Sequence, residues 1–352
     1  MATTTLTVDN ELLSATSIEA AKEARDLRHV VTPFLAEQAR VHGEGQPSKG
    51  SGHKWIGAFS TGNHSSATKR QTGYEQMNLS FSGVLTPLVL TPAEVSYPIG
   101  ISAVEEDLNG GDLQTIELAS RRAKAVMNKA KRDFEEHILC GSVSQYDDWH
   151  TLEGTVNGDG FLEAVAFGSQ NNVIGGFSKA TFAALPGANN QFADVGGSFN
   201  TSGLSSIYRT IIKAKARATD DLAGLTVICS EKSLENYKRT LQANERYMIM
   251  DNDDKIDGAN MNLMISGIPA HVSTFLGSYS AQAGQRHSMY ILDLNAIYVC
   301  WSKVIRDGYF SMSDFANVGN GYNVRVAEVL VRGQLWAENF GSSAVIADAE
   351  TF

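Results

Sequence analysis

From Asp112 to Leu139 the chain contains neither proline nor glycine, the two residues that interrupt helices. Within it Leu113, Ile116, Ala119, Ala123, Val126, Met127, Ala130, Phe134 and Ile138 recur every three or four positions, which gathers them into one apolar stripe on a helix. Asp112 follows Asn109-Gly110-Gly111 and can cap the first free backbone amides; Gly141 stands just past the end as a C-terminal cap. At about 1.5 Å per residue the helix is about 40 Å long. That is long for a globular enzyme and predicts a spine supporting a broad, thin subunit.

The other elements are shorter. Ile18, Ala21, Leu27, Val30, Phe34 and Leu35 lie at helical spacing between Ser14 and Arg40, with Pro33 as an interruption, and predict a short helix and an extended arm. Gly43 to Gly52 lacks the apolar side chains to pack a core and reads as a linker. His53 to Gly100 has strand-like flanks, Trp55 to Phe59 and Leu85 to Ile99, around a polar centre that carries Lys69 and Arg70. It predicts a long β-hairpin projecting from the body. Pro87, Pro92 and Pro98 mark the returning side as an edge strand, because proline has no amide to give a central ladder.

Gly141 to Thr201, rich in Gly, Asn and Ser, predicts loops joining small strands. Helices are predicted at about Leu204 to Ala218 and Glu231 to Gln242, the second after a buried strand, Leu225 to Cys229. Ile265 to Val272, Met289 to Leu294 and Ile297 to Trp301 read as strands of a mixed sheet. Asn323 to Trp336, with Val324, Val326, Val329, Val331 and Leu335, reads as a longer strand.

Composition sets bounds on function. A hydrophobic fraction of 43% and a charged fraction of 19% describe a chain that folds. With 29 Lys and Arg against 39 Asp and Glu, the net charge of -10 disfavours a dedicated nucleic-acid reader. Cys140, Cys229 and Cys300 are odd in number and lack C-x-x-C spacing, so neither a disulfide framework nor a zinc site is written, and a reducing cytoplasm is expected. No uninterrupted apolar run approaches the roughly 20 residues that span a bilayer, and the Thr-rich start, Met1 to Asn10, is unlike a secretory signal.

Each motif that hints at chemistry lacks a part the chemistry needs. Ser66-Ala67-Thr68-Lys69 has the S-x-x-K spacing of a lysine-assisted serine, but it lies in the polar hairpin and no K-T-G follows. Gly176-Phe177-Ser178-Lys179-Ala180 lacks the second glycine of a nucleophile elbow and reads as a turn. Asp251, Asp253, Asp254 and Asp257 miss the offsets of a calcium loop and read as a solvated segment. The histidines form neither H-E-x-x-H nor H-x-H. Gly319-Asn320-Gly321 begins like a dinucleotide fingerprint but precedes a strand instead of a helix. The Lys and Arg of the long helices read as solvated faces, with acidic residues intermixed in the first. No catalytic residue, cofactor or metal site is expected.

An arm and a hairpin that cannot bury themselves in one subunit gain stability by lying across neighbours, and symmetric assembly covers an exposed hairpin edge. In this order the elements of the α+β chain resemble the major capsid proteins of tailed phages, the Hong Kong 97-like fold. Leu139-Cys140-Gly141 resembles the close of that family's spine helix, and Gly175 to Ala180 its glycine-glycine turn. Leu225 to Cys229 followed by Ser230 to Tyr237 resembles its strand-then-helix core, and Arg246-Tyr247 its arginine-aromatic pair. Gly267-Ile268-Pro269-Ala270-His271-Val272, Met289 to Asp293, and Asn323 to Trp336 with Arg325 and Arg332 resemble its later strands.

The resemblance implies an N-terminal arm over residues 1–52, an extended loop over 53–100, a peripheral domain over 101–203 with the spine helix at 112–139, an axial α/β domain over 204–313, and a return strand to the peripheral domain over 314–352. It implies a structural protein, not an enzyme, whose pentamers and hexamers close non-covalently into an icosahedral shell around packaged double-stranded DNA. Assembly would occur in the host bacterial cytoplasm and the product would be the virion capsid. Encapsulins, which share the fold and enclose an enzyme cargo, are the alternative. Only about fifty residues precede the loop, which implies a separate scaffolding protein. A portal protein and a decoration protein are further implied partners. Trp55, Lys69, Arg70 and Arg325 are the expected intersubunit contacts by position and type. Lys54 and Lys69 lie in the loop, but no asparagine partner or catalytic carboxylate is identified for a crosslink.

Overall fold

Pro33, expected to interrupt a helix, instead opens one. Helix α1 (Pro33–His42) carries the proline in its first turn, where no amide is needed and the fixed φ suits the helix. The structure, a computed structural model, describes residues 31–43, 48–49, 54–60, 85–108, 112–152, 160–162, 173–178, 190–195, 199–218, 224–241, 263–278, 289–302, 309–319 and 322–347. The expected linker contains a short strand, β1 (Ser48–Lys49). Strands β2 (Trp55–Ser60) and β3 (Leu85–Leu90) form the base of the expected hairpin, antiparallel from Trp55 opposite Leu90 to Ser60 opposite Leu85. Lys69 and Arg70 lie outside the described residues, as does the part of the expected arm before Val31.

Strand β4 (Ala93–Ser102) leads into α2 (Ala103–Leu108) and the spine helix α3 (Asp112–Cys140). Gly141 ends α3 with φ +64°, donating its amide to the His137 carbonyl at 2.7 Å, the left-handed cap expected of it. Between α3 and the next long helix come a 3-10 turn (Ser144–Tyr146) and strands β5 (Val173–Ile174), β6 (Phe177–Ser178) and β7 (Gln191–Asp194). Helix α4 (Phe199–Lys215) starts earlier than expected because Phe199 adds one more buried position to its stripe. Strand β8 (Leu225–Cys229) and helix α5 (Glu231–Thr240) follow, with the Ser230 hydroxyl accepting the Ser233 amide as N-cap.

The run expected as one strand from Ile265 to Val272 is two. β9 (Leu263–Ile265) and β10 (Ile268–Val272) are joined by Ser266 and Gly267, both at positive φ, the backbone of a tight hairpin turn. Then come α6 (Thr274–Ser278), β11 (Met289–Asp293), β12 (Ile297–Ser302), β13 (Ser311–Met312), β14 (Ala316–Gly319), β15 (Tyr322–Ala337) and β16 (Ala344–Ala347).

Among the described residues two six-stranded sheets organise the molecule. The first is built on β15, which pairs β4 along one edge over ten residue pairs and β12, β13 and β14 along the other; β1 adds to β12 in parallel. The second is mixed and runs β7-β16-β11-β8-β10-β9. Sheet membership does not follow chain order. β7 and β16, outside 204–313, belong to the second sheet, while β12 and β13, inside that stretch, belong to the first.

The second sheet is buried on both faces, and its period-two side chains divide between two cores. Ile228, Tyr290, Leu292 and Val345 face a large cluster with Phe134, Trp149, Trp301 and Trp336. Leu225, Val227, Cys229, Met289, Ile291, Ala344 and Ile346 face the other way, onto α4 and α5 through Phe199, Ile207, Ile211 and Tyr237.

Candidate functional site

The β2–β3 hairpin base has two unlike faces, because alternate residues of paired strands point to opposite sides. Trp55, Phe59, Leu88 and Leu90 point inward. Trp55 is 4% exposed, Phe59 stacks on Phe340 with ring centroids 5.6 Å apart, and Gly57 leaves room for the Trp336 indole, which a Cβ would meet at 2.7 Å. A second clamp comes from the turn between β5 and β6. Gly175 has φ +53°, its carbonyl accepts the Val89 amide at 2.8 Å, and a Cβ there would fall 2.3 Å from the Val89 carbonyl oxygen. Only glycine satisfies both the backbone angle and the approach. The glycine-glycine turn therefore pins the hairpin to the body.

The opposite face is apolar and open. Its cross-strand pairs are Ile56 with Val89, Ala58 with Pro87 and Ser60 with Leu85. Ile56 and Leu85 are each 68% exposed, and Ala58, Ser60 and Pro87 are exposed too. Isolated surface apolar residues are ordinary; two large ones on one face of a hairpin make that face a candidate contact surface. Of the contacts expected from sequence, Trp55 is inside the subunit and gives its indole to the subunit's own core, while its neighbour Ile56 is at the surface. Arg325 is exposed on β15, opposite Asn317 on one side and Ile101 on the other.

Helix α1 is fastened at several points. Glu135 of α3 is fully buried and accepts the amides of Phe34 and Leu35 at 3.0 and 3.3 Å, capping α1 where Thr32 makes no side-chain cap. Gln38 exchanges both amide groups with the Val299 backbone, and the His42 ring reaches the Leu294 carbonyl at 2.8 Å. Glu37 lies 3.0 Å from His271 Nε2 and 2.7 Å from Arg40 Nε. Burial pushes the Glu37 carboxyl up, and the hydrogen bonds from His271 and Arg40 outweigh it and hold it below its usual range. At the foot of β4, Ser102 and Glu105 cap α2 reciprocally: the Glu105 carboxylate accepts the Ser102 amide and the Ser102 hydroxyl accepts the Glu105 amide. Arg122 of α3 grips the same carboxylate at 2.9 and 3.1 Å and holds its pKa down.

The motifs weighed for chemistry do not converge. Ser66 to Lys69 and Asp251 to Gly258 lie outside the described residues. Ser178 closes the small β5–β6 hairpin, the turn expected there. Gly319 ends β14 opposite Tyr322 of the antiparallel β15, where the fingerprint would need a helix. The three cysteines are buried, and burial pushes the Cys140 and Cys229 thiols up to about 12, far from a thiolate nucleophile. Burial also holds His137 below the usual imidazole range. Among the described residues no group of three potential metal ligands comes together, and no helix is long and apolar enough to cross a membrane.

No family model and no curated protein matches the sequence. Solved structures match over more than nine-tenths of its length. The cyanophage A-1(L) capsid asymmetric unit is 14% identical with a TM-score of 0.62, covering 96% of this chain and 99% of the other. The capsid of a native GTA particle is 10% identical with a TM-score of 0.55, covering 95% and 98%. A holo encapsulin complex from Synechococcus elongatus is 10% identical with a TM-score of 0.53, covering 94% of each chain. The chain thus has the α+β fold of tailed-phage capsid proteins, as its sequence led us to expect.

Proposed function

We propose that this chain is the major capsid protein of a tailed double-stranded DNA phage, assembling through pentamers and hexamers into an icosahedral shell. The observation that carries the reading is the end-to-end correspondence with the cyanophage capsid chain, which leaves almost no part of either chain unaccounted for. The open apolar face of β2 and β3 supports it, since burying such a face against a neighbouring copy contributes roughly 25 cal/mol per Å². Small contacts of this kind, repeated over many copies, close a shell without covalent bonds. Ile56 and Leu85 are the contact residues this geometry favours; Lys69, Arg70 and Arg325 remain proposed contacts. The division into arm, loop, peripheral and axial domains is carried over with the reading, as are a separate scaffolding protein, a portal protein, a decoration protein, and virion assembly in the host cytoplasm.

The likeness to an encapsulin complex supports a second reading, a bacterial compartment, though the fold agrees less closely there, 0.53 against 0.62. The two differ in their contents. Size-exclusion chromatography and electron microscopy of the purified protein are expected to show closed shells, and shells recovered from the native host are expected to hold genome-length DNA. Shells filled with a cargo protein and no DNA would favour the compartment, and a compact monomer at all concentrations would defeat both readings.

A further inference from the structure

The net charge of -10 conceals a local reversal on the spine helix. From Ala119 to Arg132 the sequence ASRRAKAVMNKAKR contains Arg121, Arg122, Lys124, Lys129, Lys131 and Arg132 and no acid. At 100° per residue Arg121, Lys124, Ala125, Asn128, Lys129 and Arg132 share one side of α3, while Ala130 and Phe134, on the opposite side, are buried in the core. Lys124, Ala125 and Lys129 are exposed; Arg121, Asn128, Lys131 and Arg132 are half-buried. Of the acids that follow, Asp133 and Glu135 are buried, and Glu136 is half-buried and accepts the Ser142 hydroxyl at 3.0 Å. Arg122 is engaged within the subunit with Glu105 at 2.9 Å and Arg132 with Asp133 at 3.1 Å. Lys131 lies over the Phe310 ring at 6.0 Å, with its charge still available to a polyanion.

We propose that this basic face of α3 is a contact surface for the phosphate backbone of double-stranded nucleic acid, a deepening that rests on the genome-enclosing reading above. The chemistry of the face selects the partner. Between the cations stand Ser120, Ala125 and Asn128, small or polar residues that let a backbone approach and offer no apolar anchor. An acidic helix from a protein partner gains its affinity from apolar anchors laid into a groove, and this face has none to meet them. A phosphate backbone needs only cations, and it reads no sequence through them. Arg121 to Arg132 spans about 16 Å along the helix axis, enough for about five base pairs. Each copy therefore binds weakly and without sequence preference, and a shell presenting many copies binds collectively.

The test is fluorescence anisotropy of the purified full chain with a labelled duplex of about 30 base pairs, from about 50 to 200 mM salt. Wild type is expected to bind with an affinity that falls steeply with salt. Lys124→Gln with Lys129→Gln, both at exposed positions, is expected to weaken binding more than about tenfold at 0.1 M salt and to lower the slope of log K against log salt by roughly 2. Arg209→Gln with Lys213→Gln, an equal loss of charge from the exposed side of α4, is expected to leave both unchanged. Equal effects from the two double variants, or no effect from the first, would overturn the assignment. So would retention of poly-glutamate without the duplex, which would make an acidic protein segment the partner. Electron microscopy of the same samples, with duplex added to dissociated subunits before assembly, separates the two claims: shells without duplex binding at either stage refute the surface alone, and duplex binding without shells refutes the shell alone.

Discussion

Glu135 belongs to the spine helix yet completes the first turn of another helix. Burial pushes its carboxyl up to about 8, against the downward pull of the Phe34 and Leu35 amides. Between about 4.5, its ordinary value, and about 8 the folded chain holds a proton that the unfolded chain has released. Its contribution to stability is therefore complete below about 4.5 and is lost as pH rises to about 8. Glu135→Gln, which like the protonated acid presents one strong acceptor, is expected to flatten the pH dependence of urea unfolding across this window and to exceed wild type at pH 8 by about 1 kcal/mol or more. A wild-type curve that does not fall between these limits rejects the account. The paired glycines give a second contrast at the same scale. Gly175→Ala meets both a positive φ and the Val89 carbonyl, and is expected to cost roughly 2 to 4 kcal/mol and to speed proteolysis at the hairpin base. Gly176→Ala also meets a positive φ, +82°, but has open space around it, and is expected to cost only about 1 kcal/mol in the same assay.

At the scale of elements, the hairpin's two faces predict opposite outcomes. Ile56→Asp with Leu85→Asp changes only exposed side chains and is expected to leave circular dichroism and monomer stability within about 0.5 kcal/mol of wild type while abolishing particles in electron micrographs. Trp55→Ala removes a buried indole and is expected to cost about 3 to 5 kcal/mol before assembly is reached. Normal particles from the Ile56 and Leu85 variant would remove this face from the interface. Sequence alternation placed Trp55 and Ile56 on opposite sides of the strand, but which side is buried depends on Trp336 and Phe340, far along the chain, and position and residue type could not tell the two sides apart. The spine helix and β15 were legible because one periodic signal runs through each of them. Ser102 and Glu105 carry the S-x-x-E signature of a capping box and were legible too, but went unread beside the longer helix that follows. Glu135 as the cap of α1 left no local trace, since its partners lie 100 and 101 residues away. Pro33 was read for its power to break a helix when its place in a first turn was the physical fact. The turn inside the Ile265–Val272 run was legible in Ser266-Gly267, a pair that marks turns, but went unread within an apolar stretch.

For the whole molecule the decisive property is that its two cores share strands. Gln38 pairs with Val299 across 261 residues, Ser96 with Glu328 across 232, and β16 sits between β7 and β11 near the far end of the described chain. That strand sends Val345 into one core and Ala344 and Ile346 into the other, so neither core closes without it. Long-range closure of this kind predicts slow folding and one cooperative unit, where two separately stable domains would unfold apart. The distribution of tryptophan makes the distinction measurable. All four, Trp55, Trp149, Trp301 and Trp336, lie in the first core, and Ile346 packs only in the second. Ile346→Ala removes a fully buried side chain and is expected to cost about 2 to 5 kcal/mol. In a single unit that loss moves the urea midpoint of tryptophan fluorescence as far as the midpoint of far-ultraviolet circular dichroism, although no tryptophan touches the mutated core. Independent units would shift only part of the dichroism transition and leave fluorescence in place.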